Sequence, residues 1–194
     1  ESMGQCTAPA EALELEVTES ILLEDATFAR QRLQALRELL ILDTPPEERF
    51  DRVAAFAASE FDVPICVISL VDENRQWFKA RVGLDVCETS RDISFCGHAL
   101  EQSDILLIED ARLDDRFHDN PLVVGEPHIR FYAGAPLMLP SGHVAGTLCV
   151  IDNKPRQVDA LDLAILGSLR DLVVAELQSQ IPVEQREEGI LHGV

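Results

Sequence analysis

Cys96 and His98 stand two apart in the string SFCGHAL (94–100), and Cys149 lies in a later apolar run, GTLCVID (146–152). A thiol beside an imidazole admits three chemistries: a metal site, a redox pair with a second thiol, or a covalent tether for a chromophore. Metal binding needs more ligands than this spacing supplies, because His118, His128 and His143 are scattered singly. No metal site and no cofactor are expected. If the segment carrying Cys96 covers the strand carrying Cys149, the two sulfurs can come close. The bland reading is that a cysteine in an apolar strand or helix is core.

A second set is charged or polar: Arg91, Asp92, Asp110, Asp114, Arg116, Asn120, Arg130 and Tyr132. Charged side chains in segments that cover a small sheet need partners, because an unpaired buried charge costs several kcal/mol. One reading is an internal ion-pair network pinning residues 110–125 to the sheet. The other has Arg91, Arg116 or Arg130 meeting an anionic or polar small molecule through bidentate guanidinium contacts. The two are compatible. The candidate ligand-binding residues are therefore Arg91, Cys96, His98, Asp110, Asp114, Arg116, Asn120, Arg130 and Tyr132, and none is assigned a catalytic role.

The elements that must position them follow from periodicity. Residues 13–18 (LELEVT) alternate strictly, the strand period. From Glu24 to Leu40 the pattern is helical, with Phe28, Leu33, Leu36, Leu39 and Leu40 on one stripe and Arg30, Arg32, Arg37 and Glu38 largely off it. Thr44 and Glu47 spell a capping box with proline at the first helical position, predicting a helix to about Glu60 that buries Phe50, Val53, Ala54, Ala57 and Phe61. PICVISLV (64–71), a four-residue polar turn, and 76–82 read as a hairpin. Trp77 and Phe78 sit on opposite faces of its second strand, so one of them is core. Residues 83–93 read as a loop, Ser94–Gln102 as a short helix, Ile105–Glu109 as a strand, and 110–125 as a polar connection with helical pieces. Two strands, Ile129–Leu139 and His143–Asp152, flank the turn Pro140-Ser141-Gly142. A closing helix over about 158–180 buries Leu161, Ile165, Leu169, Leu172, Val173 and Leu177. Hairpins imply a mostly antiparallel sheet of five to six strands with the terminal helices on one face, an α+β fold.

Composition narrows the function classes. The 194 residues are 46% hydrophobic and 26% charged, which suits one folded domain with flanking material. The formal charge is −19, and residues 1–48 hold 11 acids against 3 arginines. A surface this acidic repels phosphate backbones and anionic lipid, so neither nucleic acid nor membrane is an expected partner. No apolar run approaches a membrane span, no secretory leader pattern stands at the start, and five cysteines without a CxxC pair fit reduced thiols; the expected location is cytoplasmic.

Six strings then stand in order: ILDTPPEERFD (41–51), SLVDENRQWFKARVGL (69–84), RDISFCGHAL (91–100), DARLDDRFHDNPLV (110–123), IRFYAGAPL (129–137) and GTLCVIDNKPR (146–156). Together, over about residues 40–178, they resemble the GAF family, sensory domains related in shape to PAS domains. The resemblance implies a ligand pocket on one sheet face, covered by the segment between the third strand and the late hairpin. It also implies terminal helices packed behind the sheet, often in a parallel homodimer bundle. Such domains sit beside diguanylate cyclase, phosphodiesterase or histidine kinase modules. Upstream, residues 11–37 resemble an internal piece of the EAL cyclic-di-GMP phosphodiesterases, with Glu16 and Glu19 matching an ExTE string. The rest of that barrel's motifs is absent, so 1–40 reads as an extension and linker helix without phosphodiesterase activity, 41–180 as the domain and 181–194 as a tail.

The expected function is that of a sensory domain, not an enzyme, binding an unidentified small molecule and passing the signal through its terminal helices to an output domain. Two alternatives remain open: a free methionine sulfoxide reductase of the same fold attacking with Cys96, and a ligand-free dimerisation module. A bilin tether resembles phytochrome-type domains only through a cysteine near a histidine. Asn153-Lys154 begins the NKFDE string of cyclic-nucleotide-binding relatives, but its remainder does not follow.

Overall fold

The computed structural model describes residues 25–100 and 102–179. The strand read at 13–18, most of the EAL-like string and the tail lie outside the described residues. Helix α1 covers 25–38, followed by α2 (Glu48–Glu60), β1 (Ile65–Val71), β2 (Arg75–Val82), β3 (Glu88–Ser90) and α3 (Phe95–Ala99). Then come β4 (Leu106–Ile108), α4 (Pro121–Val124), β5 (Phe131–Met138), β6 (Val144–Asp152) and α5 (Ala160–Gln178). The strands form one six-stranded sheet, ordered β3-β2-β1-β6-β5-β4, with every neighbouring pair antiparallel. The fold is α+β.

All seven residues of β1 and all nine of β6 are buried, because these central strands are covered on both faces. Cys66, Ile68 and Leu70 face the helices, where Leu36, Phe50, Leu166 and Leu177 complete one core. Ile65, Val67 and Val71 face the opposite way, into a second core with Phe95, Phe117, Tyr132 and Cys149. Alternation along β2 is broken where its register with β1 shifts between Ile68 and Ser69. That bulge turns Trp77 and Ala80 to the same core, while Phe78 enters the other. Both aromatics are therefore core, not one.

Four local expectations need correction. The capping box is not formed: Glu47 is the N-cap residue of α2 but its side chain makes no cap bond, and both prolines precede the helix. A buried ammonium takes those groups instead. Lys79 Nζ lies 2.7 Å from Thr44 Oγ1, 2.9 Å from the Pro45 carbonyl and 2.5 Å from Glu47 Oε1. Residues 83–93 are not all loop, since β3 pairs with β2 and the Arg75–Glu88 ion pair (2.7 Å) holds that edge. Three residues with no apolar alternation leave no strand signal.

On α5 the buried line is Leu166, Val173 and Leu177, and Leu161 and Leu172 are exposed, because a single helix face meets the sheet. Phe28 on α1 and Leu40 in the turn that follows it are exposed, while Arg32, expected off the stripe, is buried. Its Nη1 donates to the Val71 carbonyl at 2.8 Å, fastening α1 to the end of β1.

Candidate functional site

The segment between β3 and β5 folds over the sheet face opposite the helices. Ser94 caps α3 by accepting from the Gly97 N–H at 3.1 Å, which sets Cys96 facing the sheet. Asn120 caps α4 through the Leu122 N–H (2.9 Å) and donates to the Ile93 carbonyl (3.1 Å), closing the far end of the cover onto its start. Phe117 stacks on Phe95 with centroids 4.3 Å apart, and Phe95 lies 5.2 Å from Tyr132. Ala111, Val123 and Ile129 fill the remaining space. The implied cavity is thus occupied by the protein's own side chains. A cleft of about 640 Å³ lies elsewhere, beside β4, bounded by Ile108, Asp110, Leu113, Pro155 and Arg156.

Beneath α3 the floor is polar. Gln76 on β2, Ser69 on β1, Thr147 and Cys149 on β6, and Tyr132 on β5 are all buried. Gln76 Nε2 donates to Cys96 Sγ at 3.1 Å, and the Tyr132 hydroxyl donates to it at 3.3 Å. The Ser94 hydroxyl donates to Gln76 Oε1. Ser69 and Thr147 share a hydroxyl–hydroxyl bond of 3.0 Å. Cys96 and Cys149 do meet, with sulfurs 3.8 Å apart. Each hydrogen bond answers the cost of burying a polar group.

Burial alone would raise the Cys96 thiol. Hydrogen bonding from Cys149, Ser69, Thr147 and Tyr132 outweighs it and lowers Cys96 from 9.0 to about 6. Cys149, buried beside it, is pushed well up, so the pair shares one proton. Cys66, on the other face, has only burial acting on it and rises to about 12.

A thiol whose folded value is depressed binds fewer protons folded than unfolded between the two values. Cys96 therefore adds stability fully above pH 9.0, and that stability is lost as pH falls through about 6. Urea midpoints should rise across that window, with a smaller rise in Cys96→Ser; equal slopes would show that Cys96 stays protonated.

Tyr132 reaches Cys96 by lying over Gly134, two residues along the same strand. A Cβ at Gly134 would stand 2.2 Å from the Tyr132 hydroxyl oxygen and 2.6 Å from its Cζ. The ring is fully buried against Phe95 and cannot swing aside. Gly134→Ala should cost about 1–3 kcal/mol. Tyr132→Ala removes the obstacle, so in that background the second change should cost much less, a coupling that paired urea titrations measure.

The other candidates do not converge on this floor. Asp110 and Asp114 bracket Arg112 and Arg116 (2.6 Å each), local pairs in which the arginine hydrogen bonds hold each carboxyl below its ordinary value. Arg130 donates to the Val123 and Ile129 carbonyls at 2.9 Å. Arg91 donates to the Glu73 carbonyl (3.4 Å) at the β1–β2 turn, and Asp92 is exposed. His98 is exposed, edge-on to Phe117 at 4.8 Å. The cover is fastened by short Asp-x-Arg brackets, backbone bonds and stacked rings, not by the expected ion-pair network reaching the sheet. Sequence reading missed Ser69, Gln76, Ser94 and Thr147. The available signal was small polar residues inside apolar strands, with Thr147 on the same parity as Cys149.

Comparison with known proteins places this geometry. The GAF domain model matches residues 45–177. A cyclic di-GMP phosphodiesterase of Pseudomonas aeruginosa is 45% identical over 143 residues, which are 73% of this chain and 24% of that protein. The chain thus spans about a quarter of that relative's length. Among solved structures, the GAF domain of an Acinetobacter phosphoenolpyruvate-protein phosphotransferase aligns with a TM-score of 0.59 at 21% identity, covering 80% of this chain and 93% of that one. Free methionine-R-sulfoxide reductase of Neisseria meningitidis aligns with a TM-score of 0.56 at 17% identity, covering 80% and 92%. At these identities the two structures share the fold. With the matched region extending from the start of α2 to the last turns of α5, the chain belongs to the GAF domain family.

Proposed function

We propose that this chain is a sensory domain without catalysis of its own, serving a protein of cyclic-di-GMP signalling. The observation that carries this reading is the polar floor under α3. A dimerisation scaffold needs only apolar filling there, as the helix-side core has around Leu36, Phe50 and Leu166. A row of hydroxyls, an amide and thiols spanning four strands offers hydrogen-bond partners to a small polar molecule that enters when the cover lifts. Such a molecule shifts the domain only through its preference for one arrangement of the cover. The response leaves through α1 and α5, whose outer surfaces carry Phe28, Leu161 and Leu172 exposed and suit a homodimer or an attached output module such as a phosphodiesterase, diguanylate cyclase or histidine kinase. Cys96 is 2% exposed beneath the cover, so turnover of methionine sulfoxide would require the cover to open in every cycle, whereas a resident ligand needs it to open once.

The ligand-free scaffold has one observation in its favour, the stacked Phe95 and Phe117 filling the space. Native mass spectrometry of the chain purified from bacterial cells separates the two. A bound small mass, lost in Thr147→Val with Gln76→Leu, is the expected result. A dimer with no bound mass, unchanged by those substitutions, would replace this reading with the scaffold. Steady release of methionine from its sulfoxide, abolished by Cys96→Ser, would replace both with the enzyme.

A further inference from the structure

Two buried thiols on different layers of the fold touch, Cys96 on the cover helix α3 and Cys149 on the central strand β6. We propose that a hydroperoxide converts Cys96 and Cys149 into a reversible disulfide that locks the cover onto the sheet, making this domain responsive to peroxide as well as to any ligand. The inference is independent of the sensory reading above, because it needs only the pair and its surroundings.

The geometry favours this pair over the other described cysteines. The sulfurs stand 3.8 Å apart, in contact with no atom between them to displace, and must close to about 2.05 Å to bond. Cys66 lies on β1, the neighbour of β6, but points into the opposite core, and Cys87 is exposed at the edge of the sheet. Two side-chain donors converge on Cys96. Gln76 and Tyr132 aim N–H and O–H at Cys96, an arrangement that favours its thiolate, the form that attacks peroxide. Hydrogen peroxide, little larger than water, reaches the pair through local opening of the five-residue α3.

The step balances without further reagents. The Cys96 thiolate attacks one peroxide oxygen; an S–O bond forms, the O–O bond breaks, and the departing hydroxide leaves as water once protonated. Cys149 then attacks the sulfenic sulfur; the S–S bond forms, the S–O bond breaks, and hydroxide takes the Cys149 proton to give a second water. The pair loses two electrons and the peroxide gains them. A thiol reductant reverses the change by exchange. Oxidation also removes the thiolate that Gln76 and Tyr132 bond to, so the polar floor that a ligand would meet changes with it.

The test uses the full chain, both unaltered and with Cys6→Ser and Cys87→Ser, reduced and then exposed to hydrogen peroxide. After quenching with a maleimide in denaturant, peptides are mapped without reduction. The expected result is loss of the mass of two hydrogens, a Cys96–Cys149 linked peptide, Cys66 fully alkylated, and recovery of all thiols with dithiothreitol. In Cys149→Ser, dimedone should instead label Cys96 as a sulfenic acid. The unaltered chain carries the test even if that variant fails to fold. Cys96 and Cys149 both freely alkylated, in either chain, at peroxide doses that fully oxidise free cysteine would overturn the proposal, as would a link through Cys66.

Discussion

Arg156→Met should lower the unfolding free energy by about 3 kcal/mol, with much of the loss recovered when Asp152→Asn is added. Asp152 closes β6 with its side chain 3% exposed, and its carboxylate takes the Arg156 Nε at 2.5 Å. Arg156 Nη1 donates to the Phe61 carbonyl at 3.0 Å and Nη2 to that of Asp62, so one guanidinium joins the end of β6 to the end of α2. Removing the arginine strands a buried carboxylate whose other bond comes from the Lys154 N–H (3.1 Å). The figure sits at the low end for a broken buried pair because Arg156 is itself 29% exposed, and the freed helix carbonyls can turn to water. Asparagine in place of Asp152 removes the stranded charge while keeping the shape. Urea midpoints of the two single variants and the double variant decide it; additive losses would mean that the pair contributes nothing beyond its parts.

Gly146→Ala should be at least as damaging, about 3 kcal/mol or more. Gly146 faces Leu70 across the central β1–β6 pair, and a Cβ there would stand 1.9 Å from the Ser69 carbonyl oxygen and 2.8 Å from the Leu70 Cα. These are backbone atoms of a fully buried strand, so relief requires parting the two strands at the middle of the sheet. Gly167→Ala in α5 is the control. Its nearest neighbour is the Arg170 guanidinium at 4.0 Å, and a helical alanine should gain about 0.5–1 kcal/mol over glycine. Thermal denaturation of both variants should move in opposite directions. A Gly146→Ala protein as stable as the parent would show that the central strands yield easily.

The hairpins were legible because burial on both faces makes β1 and β6 continuous apolar runs, and a tight turn joins β5 to β6. Helix α2 was read as present, but its start was placed about one turn early and for the wrong cause, since Glu47 and not Thr44 is the N-cap residue. A capping box is a local pattern, whereas Thr44 and Glu47 answer to Lys79, more than thirty residues away and buried. Arg32 misled for the same reason: its type says surface, and only the tertiary approach of the Val71 carbonyl explains its burial. The polar candidates were chosen by charge, which led to Asp110, Asp114 and Arg116, whose partners are two residues away. The residues that meet under α3 are mostly uncharged. Serine, threonine and glutamine inside apolar strands carry little signal until the register is known, and one residue of register decides which face they join.

The two outer strands of the sheet, β3 and β4, are three residues each. A strand that short offers too few free backbone groups to template growth by another chain. Glu109 and Asp110 follow β4 directly, and Glu88 opens β3. Charge therefore stands at both rims, where fibre-like stacking would have to begin, and the domain can be held at high local density beside copies of itself without polymerising edge to edge.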